Sequence, residues 1–186
     1  MSTAVLTRPS SPFVAPCSGT RYVIDSERTT VSVRVRKLGI PVRRRITALA
    51  GVIDIPADMT QAQVSVTMQT ASLRTRVGPR GTASVFDAAA HPALTFEGRG
   101  LQPIVHSMVT ADGDRPLWWL TGDLTVLGVA RPFRLAVGAV HRGRDGRSLE
   151  FNATATLRRS EYGVGRLGAM VSDVVRVSIC GRAARA

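Results

Sequence analysis

Aromatic residues and cysteines are scarce in this sequence. Phenylalanine, tyrosine and tryptophan make up 5% of the 186 residues, and the two cysteines, Cys17 and Cys180, lie near opposite ends of the chain. Neither belongs to a C-x-x-C pair or to a Cys/His cluster, so we expect two thiols rather than a zinc site or a disulfide. The shortage of aromatic rings also counts against single-stranded nucleic acid as a partner, because such sites stack bases on aromatic side chains.

A long apolar run is missing as well. No segment has the roughly 20 consecutive apolar residues of a membrane-spanning helix. The first residues, MSTAVLTRPSSPFVAPCSGT, lack both the basic start and the apolar stretch of a signal peptide. They are rich in proline and serine, which is typical of disorder. We therefore expect a disordered tail over residues 1–19, one domain over residues 20–186, and a cytoplasmic location.

Motifs for catalysis or metal binding are weak. Gly163–Gly168 reads GVGRLG and matches the dinucleotide pattern G-x-G-x-x-G, but a strand-like stretch follows it where that motif needs a helix, so a turn explains it better. His91, His106 and His141 stand far apart, and none has a second ligand at the spacing of a metal site on one element. No serine lies in a nucleophile elbow. We expect a protein that is not an enzyme and that uses neither a metal nor a cofactor.

Acidic residues are few beside the basic ones. The chain has 25 lysine and arginine residues against 13 acidic ones, for a net charge of +12, and Lys37 is the only lysine. This excess favours attraction to anionic groups of lipids or nucleic acid. The densest basic stretch is RVRKLGIPVRRRI, Arg34–Ile46, in which valine alternates with arginine. We expect Val33 and Val35 to face inward, the arginines to lie on a solvated exterior, and Lys37–Pro41 to form a turn.

Alternation of apolar and polar residues dominates the rest of the chain. Seven segments show it, and these are Thr30–Arg36, Gln63–Gln69, Leu94–Glu97, Leu120–Val126, Phe133–Gly138, Phe151–Arg158 and Val175–Ile179. The pattern is typical of strands with one buried face. It predicts an all-β protein whose antiparallel sheet is either stacked as a sandwich or closed as a barrel of about eight strands, and closure is favoured because it removes exposed edges. One short helix is predicted within residues 82–92.

Five strings, in this order, resemble the YceI-like family of lipid-binding proteins, which are often described as polyisoprenoid-binding. They are YVIDSERTTVSVRVRKLGI (Tyr22–Ile40), LAGVIDI (Leu49–Ile55), VFDAAAHPALTFEG (Val85–Gly98), LTGDLTVLGVARPFRLAV (Leu120–Val137), and the pair RSEYGVG and VSDVVRVSI near the C-terminus. The resemblance implies a lipocalin-like β-barrel with a long apolar pocket for an isoprenoid or a similar amphipathic chain. Members are often secreted and often dimeric, so the resemblance also admits a homodimer.

Several polar positions differ from the family pattern. The family segment R-D-x-H-L corresponds here to Arg76-Val77-Gly78-Pro79-Arg80, and Lys37 stands where the family's H-L-G-I turn has histidine. We predict that Arg76, Arg80 and Lys37 are the candidates for contacting the head group of a bound lipid.

Apolar residues on the inward face of each strand are the candidate wall of a ligand cavity. Trp118 and Trp119 must point to opposite faces of one strand, so one of them is expected inside, either as cavity wall or as core. The predicted wall residues are Val33, Val35, Val66, Phe86, Phe96, Trp118, Leu120, Leu124, Phe133 and Phe151. A register slip of one residue would move any of them to the other face.

Two functions follow from these observations. The first is the binding, carriage or sequestration of an amphipathic lipid, of isoprenoid or isoprenoid-quinone type, in an apolar barrel cavity. The alternative is an arginine-rich module that binds an acidic membrane surface or nucleic acid and has no lipid cavity. Nucleic acid is the less favoured partner of the two because of the aromatic shortage.

Overall fold

The chain is built almost entirely of β-strands. The computed structural model describes residues 19–46, 49–70, 90–104, 117–164 and 171–186. Two 3₁₀ turns lie in these ranges, at Met59–Gln61 and Arg159–Tyr162. The strands there are β1 (Thr20–Ile24), β2 (Thr30–Lys37), β3 (Ile40–Ile46), β4 (Leu49–Ile55), β5 (Gln63–Gln69), β6 (Ala93–Pro103), β7 (Trp118–Val126), β8 (Val129–Arg142), β9 (Ser148–Arg158) and β10 (Val174–Arg185).

One antiparallel sheet contains all ten of these strands, in the order β1-β4-β5-β6-β7-β8-β9-β10-β2-β3. An additional pairing of β1 with β10 joins the sheet to itself. Strands β1 and β4 to β10 therefore close into an eight-stranded barrel, and β2 and β3 form a hairpin attached to β10. The predicted all-β antiparallel barrel is confirmed. The predicted helix lies, except for its last three residues, outside the described residues, and no helix within them is long and apolar enough to cross a bilayer.

Alternation along each strand divides the side chains between the barrel interior and solvent. On β7, for example, Leu120, Leu124 and Val126 are buried, whereas Asp123 between them is exposed. The inward side chains form two hydrophobic clusters, one centred on β6 to β9 and one on β1, β4 and the start of β2. Met59 and Val140 are among the partly buried residues that pack against both clusters, which joins them into a continuous interior.

The two ends of the barrel differ in the connections they carry. The β4–β5, β6–β7 and β8–β9 connections and the chain terminus at Ala186 lie at one end, which we call the C-terminal end. The β7–β8 turn and the β9–β10 connection lie at the other end. The tip of the β2–β3 hairpin lies there too, because Lys37 bridges to Val171 in the β9–β10 connection. We call this end the hairpin end.

Strand β10 changes its partner part-way along its length. On one side it pairs with β9 from Val174 to Ala184. On its other side, Arg176–Cys180 pair with β2, whereas Ala183–Arg185 pair with β1. At the change of partner, the buried Thr29 hydroxyl donates to the Arg182 carbonyl and accepts from the Arg182 amide, both at 3.2 Å. The Asp25 amide also donates to the Arg182 carbonyl, at 2.8 Å. The Thr29 side chain and the Asp25 amide thus provide the hydrogen bonds of the strand that is missing at this point.

Replacing Thr29 by valine should destabilise the barrel by about 1–3 kcal/mol, because the part-buried Arg182 amide loses its hydrogen-bond acceptor, while the Arg182 carbonyl keeps only its bond from the Asp25 amide. Urea unfolding should show a lower midpoint for Thr29→Val with an unchanged slope. Thr156→Val on the exposed face of β9 is the matched control and should keep the midpoint of the parent. Equal midpoints for the two variants would show that the Thr29 hydroxyl contributes nothing to closure.

Candidate functional site

The interior is sealed at the C-terminal end. Tyr22, Leu149 and Ala183 are 1%, 2% and 0% exposed, and Ile55 beside them is 5% exposed. These side chains come from β1, β9, β10 and β4, whose ends converge there. The Tyr22 hydroxyl reaches the Gly146 carbonyl in the β8–β9 connection at 3.4 Å, which ties the strand ends to that connection. A ligand would not enter between these close-packed side chains.

Five inward side chains in the middle and towards the hairpin end of the barrel are only half-buried, whereas others at that end, such as Val126 and Val175 at 7% and 8% exposed, are buried. Val33, Val66, Phe133, Ala155 and Val177 all pack against the core clusters yet retain accessible surface. They lie on the same face of their strands as core residues such as Phe96 and Val175, which is the inward face of the sheet. The described residues therefore present an apolar surface at the hairpin end that a hydrocarbon chain could cover.

The predicted wall residues fall into two groups. Phe96, Leu120 and Leu124 are 4%, 4% and 6% exposed and belong to the sealed core. The half-buried inward members are Val33, Val66, Trp118, Phe133 and Phe151. Val35 lies opposite Val42 in the hairpin, beyond the last residue of β2 that pairs with β10. Phe86 lies outside the described residues. Whether these residues contact a ligand stays a prediction.

Two aromatic contacts position the wall. The rings of Phe96 and Phe133 meet edge to face with centroids 5.9 Å apart, so the sealed Phe96 fixes the orientation of the half-buried Phe133. Trp118 packs against the core, whereas Trp119 lies under the Arg134 guanidinium, 5.2 Å from the ring centroid. The expectation that one of the two tryptophans faces inward is thus met by Trp118.

Cationic side chains near the interior were missed by the sequence reasoning. Arg131 pairs with Leu124, and Arg44 pairs with Val33, so both occupy inward positions of the sheet register. Both residues are exposed, and the Arg131 Nε donates to the Glu161 carbonyl at 3.4 Å. Arg131 lies two residues before Phe133 on β8, and Arg44 lies two residues after Val42 on β3. Strand alternation could therefore have placed both arginines on the inward face. Of the predicted head-group candidates, Lys37 is exposed near the hairpin tip, and Arg76 and Arg80 lie outside the described residues.

A network around Arg159 braces the hairpin end. The guanidinium donates to the carbonyls of Val164, Val171 and Ser172 at 2.6, 3.0 and 3.3 Å. The Ser172 amide in turn donates to the Arg36 carbonyl at 2.7 Å. The β9–β10 connection is therefore tied at both of its described ends to β9 and to the hairpin.

Asp173 completes this brace. Its carboxylate accepts from the Ser160 amide and hydroxyl, each at 2.9 Å. These two hydrogen bonds lower the pKa of Asp173 below its ordinary value. A carboxylate with a lowered pKa in the folded state stabilises the fold above the ordinary pKa, and this contribution is lost as the pH falls through the lowered pKa.

The exterior carries a polar groove of about 500 Å³ over β8, β9 and β10. His141, Glu150, Cys180 and Arg182 line it together with Asn152, whose Oδ1 is buried without a hydrogen-bond partner. Phe151, one of the predicted wall residues, also lines this groove. Within the described parts of the chain, no three histidine, cysteine or acidic side chains come together as a metal site would require.

Comparison with known proteins places the chain in a family. A sequence model of the YceI-like domain matches residues 22–183. The chain belongs to the YceI-like family. It is 28% identical, over 128 residues, to a UPF0312 protein of Ectopseudomonas mendocina (strain ymp); the match covers 65% of this chain and 62% of that protein. This YceI-like chain thus aligns with somewhat less than two thirds of that curated relative.

Solved structures share the YceI-like fold. BcnA of Burkholderia cenocepacia superimposes with a TM-score of 0.66 at 19% identity, covering 86% of this chain and 98% of BcnA. A polyisoprenoid-binding domain from Saccharophagus degradans, implicated in plant cell wall breakdown, gives a TM-score of 0.58 at 12% identity, with 89% and 98% covered. The YceI protein of Campylobacter jejuni gives 0.55 at 18% identity, with 100% and 99% covered. At these identities the likeness shows the fold alone.

Removing the Asp173 carboxylate should weaken this YceI-like barrel in a pH-dependent way. At neutral pH, Asp173→Ala should melt at a lower temperature than the parent, because the two hydrogen bonds to Ser160 are lost. The difference should shrink as the pH falls below about 3.9, the ordinary aspartate pKa, since protonation removes the same contribution from the parent. Thermal melts from pH 7 downward would measure it. Asp123→Ala, which removes an exposed carboxylate of β7, is the control; a difference that stays constant with pH would contradict the assignment.

Proposed function

We propose that this protein binds and carries an amphipathic lipid of isoprenoid type, with the apolar chain inside the barrel and the head group at the hairpin end. The observation that carries the proposal is the accessible surface that several inward apolar residues keep in a barrel whose C-terminal end is close-packed. The C-terminal end is sealed by side chains such as Tyr22 and Leu149. Inward apolar residues towards the hairpin end, such as Val66 and Phe133, keep accessible surface.

Burial of the ligand's hydrocarbon would supply the binding energy. Each methylene removed from water contributes about 0.8 kcal/mol, so affinity should rise with the length of the isoprenoid chain that the barrel covers. Specificity for a head group needs a few placed polar groups. Arg131 and Arg44, at inward register positions near the hairpin end, are suited to an anionic or carbonyl-bearing head group, and Lys37, Arg76 and Arg80 stay candidates.

The family and its relatives support this function. A domain that is described as polyisoprenoid-binding has the same fold, and the chain is a YceI-like member. A binding protein rather than an enzyme is also what the described interior favours, because its half-buried inward residues are apolar and offer no acid–base pair. The identity of the lipid is inferred from that relative's description, so the first experiment must identify what is bound.

Organic extraction of the purified protein, followed by mass spectrometry, should yield a lipid with an isoprenoid chain at close to one per barrel. Protein treated by unfolding, washing and refolding should lose that lipid and regain it from a supplied isoprenoid quinone. An empty extract together with no uptake of supplied lipid would contradict the proposal.

Filling the interior should abolish uptake. Ala155→Phe places a large ring beside Val177, its register partner on β10, which pairs in turn with Val33. It should weaken lipid binding by at least about tenfold, because the ring takes space that several methylenes would fill. Titration of the inward Trp118 fluorescence with an isoprenoid quinone measures this. Thr156→Phe adds the same ring to the outer face of β9 and is the matched control. Circular dichroism melts must show that both variants are folded; equal affinities for the two would place the lipid outside the barrel.

A further inference from the structure

The β2–β3 hairpin carries an exposed apolar tip. Leu38 and Ile40 are 66% and 67% exposed, the two highest values among the exposed large hydrophobic residues of the described chain. Lys37 pairs with Ile40, so Leu38 and Gly39 form a two-residue turn. Nothing in the folded core is gained by apolar side chains in this position, since both point into solvent.

The tip also holds a conformation that leucine disfavours. Leu38 and Gly39 both have positive φ, at 50° and 80°, which is the turn type that asparagine followed by glycine forms best. The β7–β8 turn has the same Leu-Gly sequence, with Leu127 at φ 51°, but Leu127 packs against the core. Leu38, at 66% exposed, has no such packing among the described residues, so a leucine in this turn points to a contact made outside the chain.

A basic surface surrounds this tip. Residues 30–46 contain six arginine or lysine residues and no aspartate or glutamate. In the sheet register, Arg176 lies opposite Arg34, and Arg34 lies opposite Arg43, so three arginines stand side by side on adjacent strands. Like charges directly opposite each other in a sheet are destabilising. An anionic surface against this face would offset the repulsion.

We propose that the tip and outer face of the β2–β3 hairpin dock the protein on an anionic lipid bilayer. Apolar residues flanked by basic ones are the combination that enters the interface of such a bilayer, with the cations at the head groups and the apolar side chains below them. The hairpin projects from the barrel end where the interior keeps accessible apolar surface, so docking would bring that end to the membrane. Ligand exchange at the hairpin end rests on the proposed lipid carriage, whereas docking on the membrane does not.

Other occupants fit this surface less well. Nucleic acid would use the arginines but not the apolar tip, and residues 30–46 contain no aromatic side chain on which a base could stack. A second copy of the chain could pair with β3, which is the last strand of the sheet order. Pro41 and three consecutive arginines on β3, Arg43–Arg45, are the features that block such edge pairing.

Flotation with vesicles tests the docking. The parent should bind vesicles of phosphatidylglycerol and phosphatidylcholine in equal parts, should bind pure phosphatidylcholine weakly, and should dissociate as salt is raised. The double variant Arg43→Gln/Arg45→Gln should weaken binding by about 30-fold, because each basic residue near an anionic surface contributes about fivefold. The control Arg142→Gln/Arg144→Gln removes the same charge from the C-terminal end and should change binding less than about threefold.

The tip has its own test. Leu38→Asn should weaken vesicle binding by about tenfold, because the side chain no longer leaves water for the interface. Its melting temperature should equal or exceed that of the parent, because asparagine suits the left-handed turn better than leucine.

Unchanged vesicle binding by Leu38→Asn would overturn the proposal. An equal loss of binding in Arg43→Gln/Arg45→Gln and in Arg142→Gln/Arg144→Gln would overturn it as well. If single-stranded RNA displaces vesicles equally well from the parent and from Leu38→Asn, the surface binds nucleic acid instead. Titration of Trp118 fluorescence with the isoprenoid quinone, in the absence of vesicles, should give these variants the affinity of the parent. This result separates failed docking from failed lipid carriage.

Discussion

The pairing of β10 with two different partners on one side is the constraint on which the rest of the structure depends. Its C-terminal residues pair with β1, which closes the barrel, while Arg176–Cys180 pair with β2, which attaches the hairpin. A single continuous partner would have produced either a closed barrel without a projecting hairpin or an open sheet. The closed C-terminal end and the attached basic hairpin both follow from this division, with Thr29 and the Asp25 amide bonding Arg182 where the partner changes.

Much of this architecture could be predicted from the sequence, because side-chain alternation reports which face of a strand is buried. Val33 and Trp118 face inward as the pattern indicates, and Phe133 does so on β8. The degree of burial could not be predicted, because it depends on neighbours distant in sequence. Phe96 and Phe133 are chemically identical and in contact, yet only Phe96 is sealed.

The limits of prediction are clearest for charge and for strand order. Arg131 and Arg44 share the inward positions with apolar residues, which a rule that puts charge outside overlooks. Alternation also says nothing about strand order: β1 and β2 follow each other in the chain, yet they are not neighbours in the sheet and pair with the same edge of β10 one after the other. Local patterns contain no information on which distant strand completes an edge, so only the three-dimensional structure shows the division of β10.

The division of β10 has a mechanical consequence for the hairpin. A force that pulls on the Leu38–Gly39 turn along the strands loads the bonds between β2 and β10 in shear, where many resist together. The same force directed away from the sheet would peel those bonds one at a time from Lys37 onward. In either case the load reaches the β2 pairing before it reaches the Ala183–Arg185 pairing with β1. Loss of the β2 pairing alone would therefore leave in place the β1–β10 pairing that closes the barrel.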